Sequence, residues 1–268
     1  LRLGGAPSTL LGETAQTMWK AVRDGVPGRV RLVNAEMDEG LLHRYAYRKW
    51  SSPSGAPWPA KDEFETGCTL EHAGYCLSWL CAMFGPATSV TAFSAALVDD
   101  KRTDVPLDPA DTPDYSVGCI TFAGGVVARM TNSIVAPHDH HLRIIGDKGV
   151  LYTPESWSIR SKVWFKPWIT IRRRSMLSPL PKRVKLLRSG FAWPASGGAQ
   201  VIDFARGVAD LVDAIERGRE PRLSARFVLH VTELTLATHG AGRDGCAYRV
   251  RSTFDPVEPM PWAGGGGA

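Results

Sequence analysis

The chain has 268 residues, 44% of them hydrophobic and 22% charged, which suits one large domain or two small ones. Nine Trp, nine Phe and six Tyr exclude intrinsic disorder, and no apolar run approaches the roughly 20 residues of a bilayer crossing. The net charge of +5 is concentrated in residues 172–188, which hold seven Lys or Arg and no acid, so the rest of the chain is close to neutral. Five Cys, an odd number without a CxxC pair, read as reduced thiols in a cytoplasmic protein. No charged start leads into an apolar run as in a secretory signal.

In chain order, residues 1–5 are a short apolar run ending in Gly-Gly and read as a strand. Residues 13–24 carry Ala15, Met18, Trp19 and Val22 at helical spacing, with Gly25 where a C-cap belongs. Residues 29–37 alternate as a strand, and residues 50–61, rich in Ser, Pro, Gly and Trp, read as loop. A helix over 69–84 stops at Gly85-Pro86.

The middle is β-rich. Residues 88–97, 115–122 and 126–134 are strand-like, the last two joined by Ala-Gly-Gly. Residues 141–145 and 149–152 flank a second tight turn, and 163–171 add a strand. Helices follow over 199–217 and 224–238, the latter capped by Ser224. This order predicts an α+β fold: an open, largely antiparallel sheet with helices packed on one face.

The sequence contains no GxGxxG placed between a strand and a helix, and no Walker loop, HExxH or GxSxG. The segment that stands out is TGCTLEHAGYCLSWLCAMFG, residues 66–85. On a helix Glu71 and Tyr75 share a face, as do His72 and Cys76. Three proton-handling side chains thus gather on two turns, and a Tyr beside a carboxylate can exchange a proton with a substrate hydroxyl. The same spacing also serves a plain amphipathic stripe through Tyr75 and Trp79, with Glu71 favouring the helix N-terminus.

This segment resembles the second signature of the glucose-fructose oxidoreductase, inositol dehydrogenase and MocA-like (Gfo/Idh/MocA) family. There a glycine-rich loop enters a helix that bears an acidic residue and, four later, a His or Tyr. Gly67 matches the last loop glycine, Glu71 the acid, Tyr75 the His/Tyr and Gly85 the end of the helix. The stretch around Ala6-Pro7-Ser8 with Gln16, the run Ile145-Gly146-Asp147-Lys148-Gly149-Val150-Leu151, and the closing helices from Asp203 to Glu233 resemble further family segments in family order.

The resemblance implies a two-domain oxidoreductase that moves hydride between NAD or NADP and a sugar, inositol or related polyol. Tyr75 and Glu71 are the implied catalytic residues. His72, Trp58 and His140 are candidates for substrate binding, and Pro7 and Gln16 for the cofactor edge. Residues 1–28 are expected to be the last strand and linking helix of a dinucleotide-binding domain, 29–260 a substrate-binding and oligomerisation domain, and 261–268 a flexible tail. The family's Glu-Lys-Pro motif and glycine-rich fold are not in these 268 residues, so the chain alone is expected neither to bind NAD or NADP nor to turn over. A homo-oligomer formed through the sheet face is implied.

No metal site is expected. His138, His140 and His141 precede a strand and suit a sheet edge or cleft. His230 and Glu233 serve either a substrate or a hydrogen-bonded core, and Trp50 and Trp58 either stack on a sugar or pack under their loop. The basic segment lacks interleaved aromatics and reads as a solvated, mobile insertion, which makes a nucleic-acid partner unlikely. The alternative function is a non-catalytic assembly or binding module for an anionic partner on the same fold.

Overall fold

The computed structural model describes residues 2–52, 54–190, 202–240 and 247–264. Ten strands form one sheet in the order β10-β2-β3-β4-β1-β5-β6-β7-β8, with β9 also paired to β7. In sequence they are β1 Val30–Asp38, β2 Ala87–Ala95, β3 Tyr115–Phe122, β4 Val127–Ser133, β5 Leu142–Gly146, β6 Gly149–Thr153, β7 Val163–Ile171, β8 Arg174–Leu177, β9 Lys182–Val184 and β10 Tyr248–Arg249. The β1–β4 pair is parallel and every other pair is antiparallel. The helices are α1 Glu13–Arg23, α2 Ala60–Thr66, α3 Cys68–Phe84, α4 Ala205–Glu216 and α5 Ala225–His239.

Alternation along the strands sends every second side chain to the helical side. Val33, Ala35 and Met37 of β1, Ala128 and Met130 of β4, and Leu142 and Ile144 of β5 are buried there. Helix α3 meets them with Cys76, Leu77, Trp79, Leu80 and Cys81, none of them exposed. Ser224 caps α5 by accepting a hydrogen bond from the Phe227 N–H. The other sheet face carries Phe93, Cys119 and Leu32 in the open.

Several details differ from the sequence reading. Residues 2–5 form no strand; Gly4 makes a single bridge to Ser224. That half-turn of chain is held by α5 and α4, because a Cβ on Gly5 would lie 2.3 Å from Val228. The loop expected over 50–61 ends in a short helix, α2, that begins at Ala60. The basic segment is part of the sheet: Arg172 and Arg173 turn at φ 47 and 73, β8 returns along β7, and β9 pairs with it again. The first residues of the helix expected over 199–217 lie outside the described residues, as do Cys246 and residues 265–268. Of the expected tail, residues 261–263 pack down on α1, where Arg23 donates to Ala263 O at 2.9 Å.

His230 takes the core role. Its side chain is buried, Nε2 accepts from the Ala87 N–H at 3.0 Å, and Nδ1 faces Ser252. A backbone donor at Nε2 fixes the neutral tautomer protonated at Nδ1, in keeping with the downward push that burial gives this imidazole. Glu233 is occupied by Tyr248 Oη and the Arg251 and Ser252 backbone, which tie β10 to α5.

Candidate active site

The site is built on the first two turns of α3. Gly67 separates α2 from α3 at φ 87, and a Cβ there would lie 2.5 Å from Thr112 Cγ2 and 2.9 Å from Pro113 O. Only glycine fits that backbone and that gap. The turn aims the N-terminus of α3, with Glu71 and Tyr75, into a groove of about 620 Å³. The opposite wall is the loop from Gly4 to Thr9, and a Cβ on Gly74 would lie 3.2 Å from Pro7 Cδ. The rim is apolar, formed by Phe204, Val208 and Leu211 of the α4 segment and Leu236 of α5.

Glu71 and Tyr75 therefore share this groove with Pro7. Burial pushes both groups upward: the Glu71 carboxyl above the usual carboxylate range, and the Tyr75 phenol above its ordinary value, with neighbouring carboxylates adding to the shift. Such a pair favours neutral forms that can donate a proton. Gln16 is not in the groove. It is fully buried, its Nε2 donates to Leu10 O and its Oε1 accepts from the Met260 N–H, both at 2.9 Å.

Behind Tyr75 lies a polar cluster joined to it by Trp157. The Trp157 ring sits 4.8 Å from Tyr75, 5.3 Å from His72 and 5.3 Å from His140. The His140 side chain is wholly buried between two carboxylates, with Nε2 2.9 Å from Glu39 Oε1 and Nδ1 2.8 Å from Glu155 Oε1. Burial opposes a charge on this ring, but the two carboxylates overcome it and lift His140 to about 9. His72 Nε2 lies 3.9 Å from the same Glu39 oxygen. His138, half exposed, reaches Glu155 Oε2 at 3.5 Å, whereas His141 turns away to Asp139. Glu39, His138 and His140 bring potential metal-ligand atoms within 4.8 Å of one another.

Of the expected substrate residues, His72 and His140 thus sit together in this inner cluster. Trp58 joins an aromatic group under its loop, edge-on to Tyr47, Trp50 and Phe64 at 5.4, 5.3 and 5.8 Å. It also lines the small recess where Glu63, Glu71 and His72 meet. Glu39, Glu63, Glu155 and Trp157 escaped the sequence reading. Glu63 precedes Glu71 by eight residues, between the stretch read as loop and the helix expected from residue 69, and Glu39, Glu155 and Trp157 are brought in by strand ends from distant sequence.

The groove also bears on the cofactor. Among the described residues its lining offers Glu71 as the charged group and no Lys or Arg. The apolar rim suits a flat ring, and the lining brings no cation to a pyrophosphate.

Residues 15–152 match the family model described as the GFO/IDH/MocA C-terminal domain. That is just over half of the chain, and the chain belongs to this family. No curated protein matches it. Solved structures with the same fold include an aldose-aldose oxidoreductase from Caulobacter crescentus complexed with glycerol, at 17% identity and a TM-score of 0.63 over 92% of this chain and 64% of that one. The WlbA dehydrogenase from Bordetella pertussis, in complex with NADH and UDP-GlcNAcA, is similar at 16% identity and a TM-score of 0.59, over 93% and 65%. A levoglucosan dehydrogenase in complex with NADH is similar at 16% and 0.61, over 90% and 65%. The chain thus spans a little under two thirds of the length of each of these neighbours. No helix among the described residues is long and apolar enough to cross a membrane.

Glu63 provides a pH-dependent check on the recess. Burial first, then the charges of Glu71, Asp62 and Glu39, raise it from 4.5 to about 7. A raised carboxyl binds its proton more tightly when folded, so its stabilisation is complete below pH 4.5 and is lost as pH rises through about 7. Glu63→Gln should therefore match the parent in chemical unfolding at pH values below 4.5. Above neutrality it should be more stable by about 1 kcal/mol, a figure discounted for solvent access.

Proposed function

We propose that this chain is the substrate-binding and catalytic part of a NAD(P)-dependent oxidoreductase acting on a sugar, inositol or related polyol. The observation that carries the reading is the placement of Glu71 and Tyr75 one turn apart, facing one groove whose opposite rim is apolar. The groove's polar side suits a hydroxylated substrate and its apolar side suits a planar ring. A bound nicotinamide supplies the hydride acceptor or donor. In reduction Tyr75 Oη gives its proton to the carbonyl oxygen as hydride arrives; in oxidation it releases that proton to solvent and takes the one the substrate hydroxyl loses, while Glu71 orients the hydroxyl by a hydrogen bond. Closing the apolar rim excludes water from the reacting carbon.

The reading includes a dinucleotide-binding domain, in the same polypeptide or supplied separately, that covers the α4 and α5 face. Phe204, Val208, Leu229 and Leu236 are each more than half exposed there, an apolar area of the kind that marks an interaction site. The proposed NAD or NADP contacts of this chain are limited to the ring end, near Pro7. Two measurements test this. The chain alone should not quench or enhance NADH fluorescence on titration. Assembled with a dinucleotide-binding domain of the family, it should reduce NAD or NADP with at least one member of a panel of sugars and polyols. Tight NADH binding by the chain alone, or inactivity of the assembly across the panel, would count against the reading.

The open face of the sheet is proposed as a self-association surface. It combines apolar Phe93 and Leu32 with the Glu36–Arg129 ion pair, the mixed character of oligomer interfaces. Light scattering should report a dimer or larger, and Phe93→Asp should shift it toward monomer. A monomeric parent at micromolar concentration would refute the surface.

A further inference from the structure

We propose that Glu39, His138 and His140 form a site for a divalent transition metal of the zinc type, with Glu155 holding the His140 ring from behind. Three observations carry it. First, the ligand types and their closeness fit: two imidazoles and a carboxylate place their donor atoms within 4.8 Å of one another. The 2.9 Å between His140 Nε2 and Glu39 Oε1 has only to open to about 3.4 Å for two ligands each about 2.1 Å from a tetrahedral ion. His138 closes the remaining gap by a small swing, which its half-exposed position permits.

Second, the support around His140 is that of a ligand. A metal-bound His ordinarily donates its other ring N–H to a carboxylate, which fixes tautomer and ring plane. His140 Nδ1 stands 2.8 Å from Glu155 Oε1 in this way, while the Trp157 ring holds the imidazole from the side. His140 Nε2 is then left to the ion, and the proton it otherwise shares with Glu39 passes to solvent.

Third, the site is acidic and poorly hydrated. Glu39 and Glu155 have side chains only 12% and 17% exposed, and Glu63 and Glu71 stand in the adjoining recess. A divalent ion there offsets two carboxylates that face one another across a poorly hydrated space. The exposed side of His138 is the path of entry and leaves a position for water or a ligand oxygen. His72 Nε2, 3.9 Å from Glu39 Oε1, borders that position. The site stands independently of the oxidoreductase reading, since none of its three ligands lines the groove beside Pro7.

The experiment is calorimetric titration of the chelator-stripped full chain with Zn²⁺, paralleled by Co²⁺ absorption spectra. One equivalent should bind, and the Co²⁺ ligand-field bands should be those of a low-coordinate nitrogen and oxygen site. His138→Ala and Glu39→Gln should each weaken binding at least about 10-fold, and His141→Ala should leave it unchanged. Should Glu39→Gln not fold, the surface variant His138→Ala decides the matter by itself. Absence of saturable binding, or binding that survives His138→Ala, overturns the proposal; a Co²⁺ thiolate charge-transfer band would do so too, by placing the ion at a cysteine.

Discussion

At Gly67 the chain leaves α2 and enters α3 through a positive φ, with Thr112 and Pro113 packed where a side chain would otherwise stand. From that point α3 runs into the core. Its C-terminal half is fixed by Trp79, Leu77 and Leu80 against the sheet, each worth about 1.5–3 kcal/mol of burial. Its N-terminal half has no such freedom of choice: once the buried half is seated, helical spacing dictates where Glu71, His72 and Tyr75 point. Glu71 and Tyr75 reach the groove, while His72 turns inward to the carboxylates. A single rigid helix thereby joins the hydrophobic core to the chemistry, and the Gly4–Thr9 loop and the strand ends assemble around it.

Electrostatics divide the surroundings of α3 into two parts. The groove side is apolar and carries few charges, so Tyr75 and Glu71 are held toward their protonated forms. The inner side sets Glu39 and Glu155 against histidines, with Glu63 lining the recess beside His72. Removing one member of a buried ion pair there costs about 3–5 kcal/mol, because its partner stays charged and poorly hydrated. Trp157 is the partition, touching Tyr75 on one side and His140 on the other. Whatever neutralises the inner cluster therefore also braces the ring against which Tyr75 rests.

Much of this was legible in the residues, because periodicity reports burial. The two Gly-turned hairpins, β3 with β4 and β5 with β6, announce themselves by alternation and by their turns, and the resemblance to the family rests on local strings such as the one from Thr66 to Gly85. Glu71 and Tyr75 were visible for the same reason, since both lie on one helix. The inner cluster was not, because Glu39, His140 and Trp157 meet only through strand order: β1 lies between β4 and β5, and no local pattern specifies that neighbour. Gln16 lies outside the groove. The family resemblance implied a cofactor contact for it; a buried amide must satisfy both its ends, and Leu10 and Met260 do so here. The basic segment was read from composition as mobile; pairing along β7 gives it order, and its charges stay in water.

The account rests on Tyr75 as the group that handles the substrate proton. The direct measurement is single-turnover hydride transfer in the assembly of this chain with a dinucleotide-binding domain, comparing the parent with Tyr75→Phe. The substitution keeps the ring against Trp157 and removes only the hydroxyl. The account predicts a rate lower by about 10²–10⁴ with substrate affinity nearly unchanged. Hydride transfer at the parental rate would contradict it.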